Sequence, residues 1–261
     1  MKKLRLFPLC FLLLCGNAYG YDIKGLQPIA PNGVFSTFSA ESTEKGKVAF
    51  GVEAEKSREP DYNRYTLKSA YGLTGKMEFL ATLSYIADWR NVNSGYEDFA
   101  LGLKHRFFNE GTYGPSVAYI INASASSGEH DFGTEGRLGA GLIVSKRVGP
   151  VTGHANILYE KAGSGKPQDE VDFAVGFDFS ASHSFKILAE IYGRKYPYSD
   201  GLSQLEGRFG YRFITTDYLF TTIGAGFDLK NRAPEFRIML SVGAILPAEK
   251  KVIKKIYEEE K

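Results

Sequence analysis

The residues best placed to do chemistry are charged side chains that recur at every second position of otherwise apolar segments. Between Glu170 and Lys195, for example, Asp172, Asp178 and Lys186 alternate with aromatic and aliphatic residues. A period of two places charges on one face of a β-strand and apolar side chains on the other. Facing guanidinium and carboxylate groups bond one another and line water-filled paths. The candidate pore-lining residues are Arg106, Arg137, Glu160, Asp172, Asp178, Lys186, Glu190, Glu206, Arg208, Arg212 and Arg237.

Motifs for other chemistry are weak in this sequence. Gly163–Lys166 superficially resembles a phosphate-binding loop, but it lacks the upstream glycine, and Pro167 stands where a hydroxyl residue is required. The four histidines are scattered and show no metal-ligand spacing. The sequence therefore predicts no metal site and no cofactor.

The alternation that carries the charged residues extends from Lys47 to Leu246. It divides into about twelve segments of strand length, which are joined by connections of two kinds. Short turns such as Gly149–Pro150 alternate with longer polar loops such as Ser127–Gly133. Short turns on one rim and longer loops on the other are typical of an outer-membrane barrel with periplasmic turns. We therefore predict an all-β fold, a closed antiparallel transmembrane β-barrel of about twelve strands.

The two faces of the predicted strands favour a membrane barrel over a soluble β-protein. A soluble barrel places its apolar face inward. Here the apolar face is bulky throughout, whereas the other face mixes small residues with charges, which suits a curved polar interior. Aromatic residues also gather near the strand ends, as interfacial girdles do. The predicted girdle beside the long loops consists of Tyr62, Tyr85, Trp89, Tyr159 and Tyr196.

The first twenty residues resemble a secretory signal peptide. Lys2, Lys3 and Arg5 precede the apolar run Leu6–Cys15, and Ala18–Gly20 supplies small residues for cleavage before residue 21. Lipid attachment at Cys15 is the alternative. Cleavage removes both cysteines and three basic residues, which takes the formal charge from +2 to −1. The remainder has no disulfide framework and no basic footprint for nucleic acid.

The segments on either side of the predicted barrel differ from it. Residues 21–46 show no clean alternation, and they form either a lumen plug with Phe35 and Phe38 as anchors or a flexible leader. The barrel is predicted over residues 47–246. Pro247 ends the last strand, so residues 247–261 are predicted to form a periplasmic C-terminal tail.

The start of the predicted barrel carries a family resemblance. Its residues are Glu44–Lys47, Phe50–Glu53, the turn Tyr71–Glu78 with sequence YGLTGKME, and Leu83–Tyr85. This order resembles the family of outer-membrane transporters named for the meta-pathway of phenol degradation. The resemblance implies a barrel of similar size and a transport role, and it supplies no catalytic residues.

These observations predict a monomeric barrel in the outer membrane that passes small molecules passively, aromatic or hydrophobic ones among the candidates. Its expected partners are outer-membrane lipid and an unidentified solute. An outer-membrane enzyme acting on lipid is one alternative, because His183 and Ser184 are adjacent; however, they lie in a predicted turn without a surrounding catalytic signature. We therefore do not expect an enzyme. A structural or adhesive barrel is the second alternative.

Overall fold

A computed structural model describes residues 25–90, 93–129, 132–163, 169–197, 201–230 and 235–246. The predicted signal peptide and C-terminal tail lie outside these ranges. None of the described residues forms a helix long and apolar enough to span a membrane. The strands are β1 Val48–Arg58, β2 Tyr62–Gly72, β3 Met77–Trp89, β4 Asn93–Tyr96, β5 Ala100–Phe108, β6 Ser116–Ser124, β7 Arg137–Val148, β8 Val151–Ala162, β9 Glu170–Ser182, β10 Phe185–Lys195, β11 Gln204–Thr216, β12 Leu219–Asp228 and β13 Phe236–Leu246.

The strands close into an antiparallel barrel, which confirms the predicted fold. Apart from β4 and β5, which do not pair with each other, each strand pairs with its neighbours along the chain. β1 also pairs with β13, from Val48 opposite Leu246 to Arg58 opposite Phe236. β4 and β5 both pair with β3 and share one position, so the wall has twelve positions. The short-turn rim holds the connections β2–β3, β5–β6, β7–β8, β9–β10 and β11–β12, and the long-loop rim holds the others.

The alternation of Phe99, Leu101, Leu103 and Phe107 predicts one strand from Tyr96 to Phe108. The structure instead shows β4 and β5 separated by residues 97–99. Asp98 is buried at this break. Its carboxylate accepts backbone hydrogen bonds from Gly128 and Thr134, both at 2.7 Å. Asp98 therefore holds the loop that follows β6 against the wall.

The two faces of the wall differ as the alternation predicts. On the outside, Phe50, Phe177 and Ile238 are about half exposed, whereas on the inside Glu55 and Arg237 are buried. The small outward residues are covered by neighbours; the ring of Phe173, for example, lies over Gly193 on the adjacent strand. A closed wall with an apolar outer surface and polar groups inside satisfies its backbone without water, as a membrane barrel requires.

The predicted aromatic girdle at the long-loop rim is wrong for two residues. Tyr62 and Trp89 are buried inside the barrel, where their rings lie 5.1 Å apart. Tyr62 belongs to the inward face of β2, together with Arg64. Trp89 follows Asp88, whose φ of 59° accompanies a register shift in the pairing of β3 with β4. An inserted irregularity of this kind re-aims the side chains that follow it.

Candidate functional site

The half of the lumen next to the short-turn rim is filled by the N-terminal leader, of which the structure describes residues 25–46. Thr37, Phe38 and Ala40 are at most 2% exposed. The leader packs against glycines on the inward face of the wall: Leu26 lies over Gly102, and the ring of Phe35 lies over Gly224. The small residues of that face therefore provide the space that the leader occupies.

One turn of the leader wraps a wall carboxylate. Glu190 on β10 accepts hydrogen bonds through Oε2 from the backbone amides of Phe35, Ser36 and Thr37 at 3.1, 2.8 and 2.8 Å. The hydroxyl of Thr37 donates a fourth at 2.7 Å. Consecutive amides that converge on one oxygen form an anion-binding nest. The second oxygen of Glu190 faces Arg208 at 3.2 Å.

Other wall side chains bind the leader backbone at further points along its path. Asn156 accepts from the amide of Phe38 at 2.5 Å and donates to its carbonyl at 2.9 Å. The ammonium group of Lys104 donates to the carbonyls of Ser39 and Glu41 at 2.7 and 2.6 Å, while it pairs with Glu78 at 2.7 Å. The wall thus satisfies leader backbone groups that would otherwise be buried without partners.

Arg212 on β11 also donates to leader carbonyls, as Lys104 does. Its guanidinium donates to the carbonyls of Gly33 and Val34 at 2.9 and 3.2 Å and more weakly to that of Pro31 at 3.4 Å. It also donates to the hydroxyl of Thr222 at 3.0 Å. This arginine is buried, and leader backbone supplies most of its acceptors.

The leader leaves the lumen at the short-turn rim. The amide of Thr43 donates to Glu78 at 2.6 Å, and the carboxylate of Glu41 pairs with Arg106. Gly46 then donates to the carbonyl of Gly72 at 2.8 Å. The leader is therefore held from mid-barrel to the rim where β1 begins.

The half of the lumen next to the long-loop rim is filled differently, by ion pairs between wall side chains. Arg237 bridges Glu55 at 3.0 Å and Glu206 at 2.9 Å. Arg64 pairs with Glu97 at 2.5 Å. The other pairs in this lattice are Arg208 with Glu206, Arg194 with Asp172 and Glu170, and Arg137 with Glu160 and Glu170. Both partners in each pair belong to the wall.

An aromatic cluster covers this lattice toward the long-loop rim. Tyr62 contacts Trp89, and Trp89 meets Phe132 edge-on with ring centroids 6.4 Å apart. Phe132 belongs to the loop that Asp98 holds. Between the lattice and the leader lies a cavity of about 20 Å³, lined by residues that include Phe38 and Tyr192, which is room for about one water molecule.

The eleven charged residues predicted to line a pore carry inward side chains, but they fall into two groups. The structure brings Arg137, Glu160, Asp172, Glu206, Arg208 and Arg237 together in the lattice, and it places Arg106, Asp178, Lys186, Glu190 and Arg212 beside or below the leader. Whether they line a conducting pore stays a prediction.

The set chosen from the sequence omits several residues that hold the leader or the lattice: Arg64, Glu78, Glu97, Lys104, Asn156 and Arg194. All except Glu97 occupy the inward face of a strand, so the alternation itself is the signal that identifies them. Glu97 lies in the break after β4, which the alternation does not show.

A serine, a histidine and an aspartate also lie next to each other inside the barrel. The hydroxyl of Ser145 lies 2.8 Å from Nδ1 of His154, whose Nε2 is 3.4 Å from Asp178. These types of residue form nucleophilic triads in hydrolases. Here the Ser145 hydroxyl accepts the amide of Ala40 at 2.9 Å, and the group faces the lumen rather than surrounding lipid. The arrangement therefore anchors the leader. Among the described residues, no cluster of acidic, histidine or cysteine side chains has the geometry to hold a metal ion.

No protein-family model and no curated protein matches the chain. Solved structures match its fold. It is similar to an outer-membrane channel from Pseudomonas putida F1, with a TM-score of 0.59 and 11% identity over 79% of this chain and 98% of the other. It is also similar to the KdgM porin, with 0.58 and 7% over 75% and 98%, and to the NanC porin, with 0.53 and 12% over 75% and 98%. At such low identity these likenesses show the fold, and with the apolar outer wall they place the barrel in the outer membrane, which confirms the predicted location.

Proposed function

We propose that the protein is a passive channel of the outer membrane that its own N-terminal leader holds closed. The observation that carries this proposal is the way in which the leader is bound. Wall side chains bind its backbone at Glu190, Asn156, Lys104 and Arg212, whereas the long-loop half is held mainly by pairs between barrel side chains, with Arg208 also donating to the hydroxyl of Ser36 in the leader. Departure of the leader would vacate one half of the lumen and leave the barrel's own hydrogen bonds intact.

The inner face favours a polar solute. Aromatic or hydrophobic molecules are candidates from the sequence, but the inward side chains at every level include charged groups. A small polar molecule keeps its hydrogen bonds along such a surface, whereas an apolar one displaces water without replacing those bonds. The closed wall needs no second chain, so we propose that the protein acts as a monomer.

Planar-bilayer recordings test the closed-channel proposal. The intact protein is expected to conduct weakly, and deletion of Tyr21–Glu44 is expected to raise the single-channel conductance. A point variant tests the same idea in the full chain. Glu190→Gln removes the charge that the amide nest binds and should raise the fraction of time spent open.

The matched control is Glu97→Gln, which removes a carboxylate that pairs with Arg64 on the wall. It should leave the open fraction unchanged. Wide conductance in the intact protein, or no change on leader deletion, would contradict the proposal. A barrel that does not conduct even without the leader would favour the lipid-acting or adhesive alternatives.

A further inference from the structure

A row of hydrogen-bond donors crosses the inner wall beneath the leader. In the strand register, Lys186 lies opposite Ser180 on β9 and opposite Arg212 on β11. Arg212 in turn lies opposite Thr222 on β12, and Thr222 lies opposite Ser241 on β13. Five adjacent strands thus contribute a cation or a hydroxyl at one level of the lumen.

The two cations of this row are not equally balanced by the wall. Lys186 pairs with Asp178 at 2.8 Å. For Arg212, no carboxylate among the described residues lies within 4.0 Å, although its side chain is 2% exposed. Like charges directly opposite each other across two strands destabilise a sheet. The wall around Lys186 and Arg212 therefore carries more positive than negative charge.

The leader supplies neutral oxygens where a negative charge would fit better. The carbonyls of Pro31, Gly33 and Val34 accept from the guanidinium of Arg212. A carboxylate or phosphate would accept the same hydrogen bonds while carrying a negative charge, and it can take two parallel N–H bonds from one guanidinium, which a single neutral carbonyl cannot do. Guanidinium geometry suits these planar or tetrahedral anions in particular.

A second cation depends on the leader in the same way. Arg106, at the short-turn rim, pairs with Glu41 of the leader and donates to the carbonyl of Gly75 at 3.0 Å. If the leader departs, Arg106 loses its carboxylate and Arg212 loses three acceptors. The first change removes a negative charge from the vacated half of the lumen, and the second leaves a buried cation short of hydrogen-bond acceptors.

We propose that Arg212, together with Lys186 and Thr222, binds the anionic group of the solute, a carboxylate or a phosphate, and that the leader and the anion compete for this site. The inference rests on the proposed function, since it requires that the leader can leave. Because coupling between two ligands is reciprocal, an anion that binds Arg212 favours the open barrel by the same factor by which the leader weakens anion binding.

Cysteine labelling in the full chain tests the competition without relying on conductance. Val34 is buried in the leader, and Val34→Cys keeps the backbone carbonyl that faces Arg212. The only natural cysteines, Cys10 and Cys15, are replaced by serine. The rate of labelling by a membrane-impermeant maleimide is measured with inorganic phosphate, with acetate, and with sodium chloride at equal ionic strength.

Phosphate or acetate should raise the labelling rate about tenfold over chloride at equal ionic strength, within the usual range of coupling between two ligands. The anion that raises the rate more is the preferred one. Adding Arg212→Gln should give fast labelling that no longer responds to either anion. The matched control Lys68→Gln removes a lumen cation that pairs with Glu53 at 2.8 Å, and it should keep the response. Folding of each variant is checked by heat-dependent electrophoretic mobility.

The outcomes separate the two ideas. Equal rates in all three salts, or an anion response that survives Arg212→Gln, would overturn the anion site even if the leader opens the channel. Slow labelling in every variant, including Glu190→Gln, would show that the leader does not leave, and the proposed function would then fail together with this inference.

Discussion

The two halves of the lumen are both filled, but by different parts of the chain. Beside the long-loop rim, buried ion pairs join wall to wall, as Arg237 joins Glu55 and Glu206. Beside the short-turn rim, wall side chains such as Glu190 and Arg212 bind the backbone of one continuous segment that precedes β1. Opening the first half would require breaking the barrel's own pairs, whereas the channel that we propose opens the second half by movement of the leader.

This difference separates stability from gating. Removing one partner of a buried ion pair leaves the other charge without compensation and destabilises the fold strongly. In the channel that we propose, removing a contact of the leader shifts an equilibrium between two positions of this segment, and the loss of unfolding free energy is limited to the free-energy gap between them. Substitutions in the two halves should therefore change different measurements.

The largest expected effect is on the lattice. Arg237→Ala exposes two buried carboxylates, Glu55 and Glu206, to each other, and we expect the free energy of unfolding to fall by about 3–5 kcal/mol. Urea unfolding in lipid vesicles, followed by the fluorescence of Trp89, measures it. Arg212→Ala is the comparison in the leader half, where the lost partners are chiefly leader carbonyls, so the expected fall is about 1–3 kcal/mol. Equal losses for the two variants would erase the distinction between the halves.

The sequence predicts the wall well because a period of two is a local property. Charged residues such as Asp178 and Arg237 follow the strand alternation, and the barrel places both inside. The inward position of the Trp89 side chain could not be predicted from this alternation. A left-handed conformation at Asp88 shifts the register by one residue, and a one-residue shift reverses the face of everything that follows.

The position of the leader is harder to predict for a different reason. Its bonds to the wall are made largely by backbone groups, as in the contact of Phe38 with Asn156, 118 residues away in the chain. Backbone amides and carbonyls are the same for nearly every residue, so the leader's own sequence carries little signal of these bonds. The signal lies in the wall, where inward glycines such as Gly102 and Gly224 leave space.

An intermediate effect is expected from filling that space. A Cβ at Gly224 would overlap the ring of Phe35, so Gly224→Val should displace the leader. A state with the leader displaced that is populated at about 0.1–10% lies about 1–4 kcal/mol above the closed state, so the unfolding free energy should fall by no more than this gap. Planar-bilayer conductance should rise. The matched control is Gly153→Val on the outer face, whose Cβ would meet the ring of Phe177 at 3.4 Å, and it should leave conductance unchanged.

The smallest expected effect comes from the long-loop half and has the opposite signature. The hydroxyl of Tyr62 donates to Glu55 at 3.1 Å, and the ring packs on Trp89. Tyr62→Phe keeps the ring and removes one hydrogen bond, so we expect a loss of about 0.5–1.5 kcal/mol in unfolding free energy. Conductance should not change, because no leader contact is touched. A more conductive Tyr62→Phe would mean that the aromatic cluster, and not the leader alone, closes the barrel, and the separation of stability from gating would then fail at this rim.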